Sequence, residues 1–438
     1  MASSDAIKKI TGREILDSRG NPTIESTLQT VSGATATFGV PSGASTGSHE
    51  ACELRDGGRR HGGKGVLTAV SNINMKIRSA LVGKSVFGQG ELDVALLKLD
   101  GTENKTSLGA NAILGASAAA TRAAAMMNDV PLYQYVHTMY EQKHGKRAGG
   151  HSWVMPCPQM NVLNGGRHAG MEHDVQETML MPVGAKSFSE ALQIGAEIYH
   201  SLKTILKKKY GATATLVGDE GGFAPVVGAE GKLELLSQAI TQAGYEKEAA
   251  IGIDAAASEF FENGAYNLGG NKMGAGELVD FYSSLCSKYR IISIEDGLAE
   301  DDWPGWAHFN SKLGKKIQIV GDDLLTTNTK RITRAVSEKS CNALLLKINQ
   351  IGTITESLDA AALAMKNGWK VVVSHRSGET NDSFISDLAV GLGCGQIKPG
   401  APARGERVAK YNRLLEIEEE LLGAGKRVSF GGKIFASK

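Results

Sequence analysis

The sequence predicts an α/β protein in which a small α+β amino-terminal domain precedes a (β/α)8-type barrel. The chain of 438 residues is longer than one ordinary hydrophobic core. Its first part shows extended patterns followed by helical ones, whereas its second part alternates strands and helices. Several of the later strands end on charged or polar residues, as barrel strands do at the face that carries an active site. A polar, glycine-bearing stretch favours a boundary between domains 1–143 and 144–438.

The first domain is predicted to be a three-stranded antiparallel meander followed by helices. Thr and Val are frequent in its extended segments, and Gly and Pro recur at the breaks. The predicted strands are 7–15, 22–30 and 34–40. A loop rich in hydroxyls and glycines, 41–50, then leads to segments of helical periodicity. The predicted helices are 64–83, 92–99, 110–127 and 132–143.

The second domain is predicted to begin irregularly and then to repeat strand and helix in order. Its first extended runs, 154–163 and 175–181, are followed by a helix at 189–210. Further along, the run 290–296 shows no polar alternation until it ends on two acids, which is typical of a strand buried on both faces. The polar strand ends of this domain are Asp254, Glu295, Asp322, Lys347, His375 and Lys398. Most are separated by about the length of one strand and one crossover helix.

Charge and cysteine usage exclude several classes of protein. The 48 Lys and Arg nearly balance the 47 Asp and Glu, which argues against a nucleic-acid binder. The five cysteines form no CxxC pair, so we expect free thiols in a reducing compartment. No segment approaches the ~18 apolar residues of a membrane span, and the amino terminus lacks an apolar signal region. We therefore expect a cytoplasmic protein without a membrane span.

Three carboxylates, Asp254, Glu295 and Asp322, are predicted to stand side by side at the ends of successive barrel strands. Like charges repel, and buried unpaired charges are costly, so this group needs a counter-ion. Oxygen ligands without Cys or His favour a hard cation, and an incomplete protein shell suits Mg²⁺. A single acid of this kind is more often a strand-end cap or a salt-bridge partner, but three on consecutive units predict a metal site.

The next strand end, Lys347, is predicted to lie close to this cation and to Lys398. Neighbouring positive charge and burial both lower the pKa of a lysine, which allows an amine to act as a general base near neutral pH. A solitary strand-end lysine is usually solvated. Its predicted place between a metal site and a basic cluster is what favours catalysis.

Two further sets complete the predicted site. His375, Arg376 and Ser377, together with Lys398, offer donors for a phosphate or a carboxylate. Glu177 and Glu220, from earlier strands, form a possible carboxylate pair, unless they are exposed loop acids. Two nearby acids keep one proton between them at neutral pH, and this proton can serve a leaving hydroxyl.

Other catalytic classes lose support because their motifs are missing from the sequence. There is no Walker lysine motif, dinucleotide fingerprint, GxSxG elbow or HExxH. The residues together predict a metal-stabilised carbanion formed by a lysine base, followed by acid-assisted loss of a hydroxyl from an anionic substrate.

The same residues lie in sequence blocks that resemble the enolase (2-phosphoglycerate dehydratase, phosphopyruvate hydratase) family along essentially the whole chain. The most specific blocks are Pro-Ser-Gly-Ala-Ser-Thr-Gly (41–47), Gly-Asp-Glu-Gly-Gly (218–222), Leu-Leu-Leu-Lys-Ile-Asn-Gln-Ile-Gly-Thr (344–353), Ser-His-Arg-Ser-Gly-Glu-Thr (374–380) and Gly-Ala-Pro-Ala-Arg (400–404). The resemblance implies reversible dehydration of 2-phosphoglycerate to phosphoenolpyruvate. It also implies a barrel of the enolase kind with irregular first units, and a homodimer.

The resemblance implies a role for each matching residue. The first Mg²⁺ ligands would be Asp254, Glu295 and Asp322, and the second, substrate-dependent Mg²⁺ would be completed by Ser45. The catalytic residues would be Lys347 as base, Glu220 with Glu177 as the acid pair, and His168. The substrate-binding residues would be His168, Gln176, Glu177, His375, Arg376, Ser377 and Lys398.

The sequence departs from the usual family pattern at a few positions near these residues. The departures are Arg167, His173, Asp174, Thr178, Gly297, Leu298, Thr329 and Pro399. None of them removes a predicted catalytic group. Two alternatives stay open: a relative acting on another carboxylate, and a non-catalytic binding protein on the same fold.

Overall fold

The computed structural model describes residues 3–43, 47–146, 152–166, 170 and 173–435. The five cysteines are free thiols. Within the described residues, no helix combines the length and the apolar character that crossing a bilayer requires.

The amino-terminal domain is a three-stranded antiparallel sheet covered by helices. Its strands are β1 (Ile7–Leu16), β2 (Pro22–Thr30) and β3 (Thr35–Gly39), in that order across the sheet. Its helices are α1 (Leu67–Asn72), α2 (Arg78–Leu81), α3 (Gln89–Asp100), α4 (Ala110–Met127) and α5 (Leu132–His144), with a π turn at Ile73–Ile77 joining α1 to α2. The alanine-rich α4 is buried over most of its length because its small side chains allow close approach to β2 and β3. The predicted meander is therefore confirmed.

The rest of the chain alternates strands with helices. Its strands are β4 (Trp153–Met155), β5 (Cys157–Pro158), β6 (Met160–Asn164), β7 (Glu177–Met181), β8 (Ala250–Asp254), β9 (Phe261–Glu262), β10 (Ala265–Leu268), β11 (Asn271–Met273), β12 (Ile291–Glu295), β13 (Gln318–Gly321), β14 (Ala343–Leu346), β15 (Lys370–Ser374), β16 (Gln396–Lys398) and β17 (Val428–Phe430). Its helices are α6 (Phe188–Tyr210), α7 (Ala229–Ala243), α8 (Ala275–Lys288), α9 (Trp303–Leu313), α10 (Thr329–Glu338), α11 (Ile348–Ile351), α12 (Ile354–Lys366), α13 (Phe384–Leu392) and α14 (Gly405–Gly423). The domain boundary between 143 and 144 stays a prediction.

The main sheet nearly closes into a barrel. Its strand order is β5-β16-β15-β14-β13-β12-β8-β7-β6. Gln159 alone separates β5 from β6, so these two short strands form one nearly continuous strand. Because β5 and β6 are the first and last strands in this order, they connect both ends of the sheet. Strand β7 is antiparallel to both of its neighbours, and the other pairs are parallel. The predicted barrel with irregular first units is confirmed.

A buried layer of neutral polar side chains, which we call the amide layer, lies inside the barrel. It consists of Gln159, Ser293, Gln318 and Gln396, all fully buried. The Gln396 Oε1 atom accepts hydrogen bonds from Gln159 Nε2 at 2.8 Å and from Gln318 Nε2 at 3.0 Å, and Gln318 Nε2 also donates to Ser293 Oγ at 3.1 Å. Because side chains alternate along a strand, the next inward positions after Ser293 and Gln396 hold functional candidates at the carboxyl ends.

Candidate active site

A cavity opens at the carboxyl ends of the barrel strands, and we call its lining residues the mouth. The mouth comprises Gln176, Glu177, Glu220, Asp254, Ala256, Asp296, Asp322, Asp323, Lys347, Ser374, His375, Arg376, Ser377 and Lys398. The structure therefore brings most of the predicted site residues together.

The amine of Lys398 contacts three buried carboxylates at the centre of the mouth. Its Nζ lies 2.9 Å from Asp254 Oδ2, 2.7 Å from Glu295 Oε1 and 3.2 Å from Glu177 Oε2. Strand register explains the grouping, because Asp254 pairs with Glu295 on one side and with Glu177 on the other. Burial acts to lower the pKa of Lys398, but these carboxylates outweigh it and raise the pKa well above its usual value.

The amine of Lys347 donates a hydrogen bond to Asp322 Oδ2, and Gln350 Nε2 donates to Asp322 Oδ1 at 2.8 Å. Burial acts to lower the pKa of Lys347, yet the negative charge of Asp322 prevails and the pKa is raised. The expectation of a lowered pKa is therefore wrong for this arrangement. Sequence order places Lys347 one strand after Asp322, but it does not show that the amine reaches the carboxylate.

The carboxylate-rich side of the mouth has the chemistry of a divalent-cation site. The buried Glu295 Oε2 atom has no hydrogen-bond partner among the described residues. Burial, followed by the charge of Asp254, raises the pKa of Glu295 well above its usual value. Oxygen atoms of Asp296, Asp322 and Asp323 lie within 4.8 Å of one another. These hard oxygen ligands fit Mg²⁺, which would relieve their mutual repulsion.

The residues that follow Glu295 are held firmly despite the departures at Gly297 and Leu298. Asp296 adopts a left-handed φ of 43°, and its carboxylate accepts the N–H groups of Asp322 and Asp323 at 2.8 Å each. A Cβ at Gly297 would lie 2.6 Å from the Phe309 ring, so glycine permits this close packing. Leu298 is fully buried. The turn therefore fixes the acids at the end of β13.

Glu177 and Glu220 form the predicted carboxyl pair. Burial raises the pKa of Glu177 well above its usual value, and the charge of Glu220 and a hydrogen bond between the two carboxyls add to this effect. Glu220 Oε2 also accepts a hydrogen bond from Asn161 Nδ2 at 3.0 Å. Because both acids are buried side by side, uptake of a proton by the pair is favoured.

His375 lies beside this pair as a neutral imidazole. Burial lowers the pKa of His375 to about 4. Arg407 Nη1 lies 2.6 Å from His375 Nδ1, and since arginine can only donate, Nδ1 is the acceptor and Nε2 carries the proton. The Nε2 atom lies 3.2 Å from Glu220 Oε2. Arg407 thereby selects the tautomer that faces the carboxyl pair.

Comparison with known proteins assigns the family. The family model for "Enolase, N-terminal domain" matches residues 7–136, and the model for "Enolase, C-terminal TIM barrel domain" matches residues 152–438. The chain belongs to the enolase family. It is 52% identical over 416 residues to the curated enolase of Methanocaldococcus jannaschii, a match that covers 95% of each chain. The predicted family, barrel fold and hydro-lyase class are confirmed, and a non-catalytic protein is not favoured.

Two residues that enolase chemistry is predicted to use lie outside the described residues, namely Ser45 and His168. The described ends of the segment around Ser45 contact the barrel. Ser42 and Gly378 exchange backbone hydrogen bonds of 2.7 and 2.8 Å, and the Ser48 hydroxyl donates to Glu300 at 2.7 Å. Both described ends, at Ser42 and Ser48, therefore lie against the second domain.

Three further residues organise this enolase-family site without having been predicted from the sequence, namely Glu50, Gln350 and Arg407. Each acts through long-range contacts that no local pattern reports. Gln350 lies in the block 344–353 that supported the resemblance, so its place next to Lys347 was the available signal. Arg407 is fully buried near the start of α14, where an exposed charge is the usual expectation.

One of the departures from the family pattern, Asp174, has a structural explanation. Its carboxylate accepts a hydrogen bond from the amine of Lys232, which is fully buried. Burial acts to lower the pKa of Lys232, and Asp174 partly offsets that effect. This ion pair lies two residues before Gln176, whose buried Oε1 has no hydrogen-bond partner among the described residues. Gln176 thus offers an acceptor at the edge of the mouth.

Proposed function

We propose that the mouth catalyses the reversible dehydration of 2-phosphoglycerate to phosphoenolpyruvate. The observation that carries this proposal is the presence, in one cavity, of a lysine, a carboxyl pair in which the pKa of Glu177 is raised, and cationic groups that can bind anions. This set matches a reaction that removes a proton from carbon, expels a hydroxyl and binds two anionic substituents.

Lys347 is proposed as the general base that takes the proton from the carbon next to the substrate carboxylate. A lysine can act as a base only as the neutral amine, and its hydrogen bond to Asp322 favours the ammonium form. Asp322 must therefore take another partner in the working enzyme. A cation at the predicted site would be that partner, because Asp322 is one of its proposed ligands.

Glu220 is proposed to protonate the departing hydroxyl, with Glu177 sharing the proton. The raised pKa of Glu177 supports this role because a proton held at neutral pH is available to a leaving group. Neutral His375 lies against Glu220 without adding a positive charge that would expel the proton. His168 is proposed to line the same side of the pocket.

Asp254, Glu295 and Asp322 are proposed to hold the first Mg²⁺, and Ser45 to complete a second, substrate-dependent site. Members of the enolase family are generally Mg²⁺-dependent. The unpartnered Glu295 Oε2 supports the first site. When bound, Mg²⁺ would stabilise the negative charge that develops on the substrate carboxylate.

The two anionic groups of the substrate are proposed to bind to two different sets of residues in the mouth. Arg376 and Ser377 would bind the phosphate, Lys398 the carboxylate, and Gln176 and His375 would line the pocket. The buried guanidinium of Arg376, which is 3% exposed, favours a phosphorylated substrate over a carboxylate without phosphate. We further propose a cytoplasmic homodimer that serves glycolysis and gluconeogenesis.

The test is to mix the purified chain with 2-phosphoglycerate and Mg²⁺ and to follow the enol product by ultraviolet absorbance. We expect turnover that a chelator abolishes and that added Mg²⁺ restores. Absence of turnover, or turnover indifferent to the chelator, would contradict the proposal.

A further inference from the structure

The carboxylate of Glu50 connects two residues of the mouth, Arg376 and, through Gln350, Asp322. Its Oε2 lies 2.9 Å from Arg376 Nη1, and its Oε1 accepts hydrogen bonds from Arg376 Nη2 at 3.2 Å and from Gln350 Nε2 at 3.3 Å. The same Gln350 nitrogen donates to Asp322 at 2.8 Å. Glu50, a residue of the amino-terminal domain, therefore contacts Arg376, the proposed phosphate ligand. Through Gln350 it is also linked to Asp322, a proposed cation ligand.

The contact between Glu50 and Arg376 is a buried, two-pronged ion pair. The side chain of Arg376 is 3% exposed and that of Glu50 is 7% exposed. A second acceptor, Asn349 Oδ1, lies 3.0 Å from Arg376 Nη1. A carboxylate that binds both terminal nitrogens of a guanidinium fixes the plane of the group, because the donors of arginine have a rigid fork geometry.

The backbone around Glu50 holds its carboxylate in place. The Gly47 N–H donates to Glu50 Oε1 at 3.1 Å, and the Glu50 N–H donates to Gly47 O at 3.1 Å. The adjacent Ser48 donates to Glu300 from both its N–H, at 3.1 Å, and its hydroxyl, at 2.7 Å. Gln350 is itself oriented, since its Oε1 accepts from the Thr327 hydroxyl at 2.9 Å.

We infer that Glu50 is a positioning residue for the substrate phosphate: it acts through Arg376, whose guanidinium it orients for the anion. The inference rests on the proposed function insofar as that function makes Arg376 the phosphate ligand. Removing the carboxylate takes away the two-pronged contact that fixes the plane of the guanidinium. Affinity for a phosphate group then falls.

The test is a double-mutant cycle that measures the dissociation constant of inorganic phosphate by calorimetry in the presence of Mg²⁺. We expect Glu50→Gln to weaken phosphate binding on the order of ten-fold in the otherwise unchanged chain. In the Arg376→Gln background, the same Glu50→Gln change should alter the constant less than about two-fold. A purely structural role would give equal effects in both backgrounds.

Glu300→Gln is the matched control, because it loosens the same segment through Ser48 without contacting Arg376. It should change phosphate affinity less than about two-fold. If Glu50→Gln does not fold, Glu50→Asp keeps the charge one methylene shorter and should give a smaller loss that again depends on Arg376. Equal effects in both backgrounds, tighter phosphate binding, or no phosphate binding by the unchanged chain would overturn the inference.

The kinetic readout separates this inference from the proposed function. With 2-phosphoglycerate, Glu50→Gln should raise KM by a larger factor than it lowers kcat. If the two substitutions affect phosphate affinity non-additively but the unchanged chain does not turn over 2-phosphoglycerate, only the proposed function is contradicted. If the unchanged chain turns over 2-phosphoglycerate but the effects of Glu50→Gln and Arg376→Gln on phosphate binding are independent of each other, only this inference is contradicted.

Discussion

The mouth and the amide layer are built on the same barrel strands, yet their polar groups are stabilised in opposite ways. In the amide layer, neutral side chains of Gln159, Gln318 and Gln396 hydrogen-bond to one another in full burial. In the mouth, buried carboxylates outnumber the lysines that neutralise them. Glu295, which contacts Lys398 of the mouth, has an Oε2 atom without a hydrogen-bond partner among the described residues. Both layers hold an unpaired oxygen, since Gln159 Oε1 also has no hydrogen-bond partner among the described residues. An unpaired neutral oxygen costs less than an unpaired buried charge, so only the layer of charges calls for ligands.

The difference teaches how a barrel separates folding from chemistry. Ser293 and Glu295 are two positions apart on β12, and Gln396 and Lys398 are two apart on β16. One inward step along each strand thus changes a neutral hydrogen-bonding group to a charged one. Changes in the mouth should therefore alter rate or pH response, whereas changes in the amide layer should alter stability.

The largest expected effect is the loss of rate on replacing the base. Lys347→Ala should lower kcat by a factor on the order of 10⁴ because no other described side chain is proposed to take the proton. A steady-state absorbance assay would measure kcat. A Mg²⁺ titration of the variant should show that cation binding is largely kept. Lys208→Ala, at an exposed position of α6, is the control and should retain the rate. A near-normal rate for Lys347→Ala would place the base elsewhere.

A second expected effect is a pH dependence of stability that originates in His375. Its pKa is about 4 in the folded chain, below the usual 6.5, so the unfolded chain binds more protons between these values. The stabilisation from neutral His375 is present above pH 6.5 and is lost as pH falls towards 4. Between pH 7 and pH 4.5, His375→Gln should lose a few kcal/mol less unfolding free energy than the unchanged chain.

Denaturant titration at the two pH values would measure this difference. His200→Gln, at an exposed position, is the control and should leave the pH dependence as it is in the unchanged chain. If His375→Gln loses as much unfolding free energy on acidification as the unchanged chain, His375 is not the group responsible.

The smallest expected effect tests the amide layer. Gln318→Leu leaves the Gln396 Nε2 without its acceptor and removes the donor to Ser293, which should cost about 1–3 kcal/mol of unfolding free energy. Because Gln318 does not line the mouth, kcat should stay close to that of the unchanged chain. Gln238→Leu, on the exposed face of α7, should change stability by less than ~0.5 kcal/mol. A large loss of kcat at unchanged stability would show that the two layers are not separate.

Much of the fold was predictable because it depends on local patterns. The extended segment 22–30, with its frequent Thr and the Gly and Pro at its start, and the alanine-rich stretch 110–127 gave β2 and α4 their correct types and limits. The run 290–296 proved to be β12, with Glu295 as its last residue. The joining of β5 and β6 into one nearly continuous strand across Gln159 could not be predicted, since it depends on pairing with distant β16 and β7.

The candidate site was predictable in its members but not in their contacts. Strand ends in a barrel converge, so Asp254, Glu295 and Asp322 could be placed at one mouth from the order of the strands. The bond from Lys347 to Asp322 reversed the expected direction of the lysine pKa, because burial and charge compete and their balance depends on side-chain geometry. Glu50, more than two hundred residues before Gln350 in the chain, gave no local signal of its place in the mouth.

The most direct test of the central claim measures exchange of the carbon-bound proton of 2-phosphoglycerate with deuterium by NMR in deuterated buffer. Glu220→Gln, which keeps Lys347 but loses the proton donor, should still exchange this proton while forming little phosphoenolpyruvate. Lys347→Ala should lose both exchange and product formation. Exchange by Lys347→Ala at the rate of the unchanged chain would contradict the assignment of Lys347 as the base.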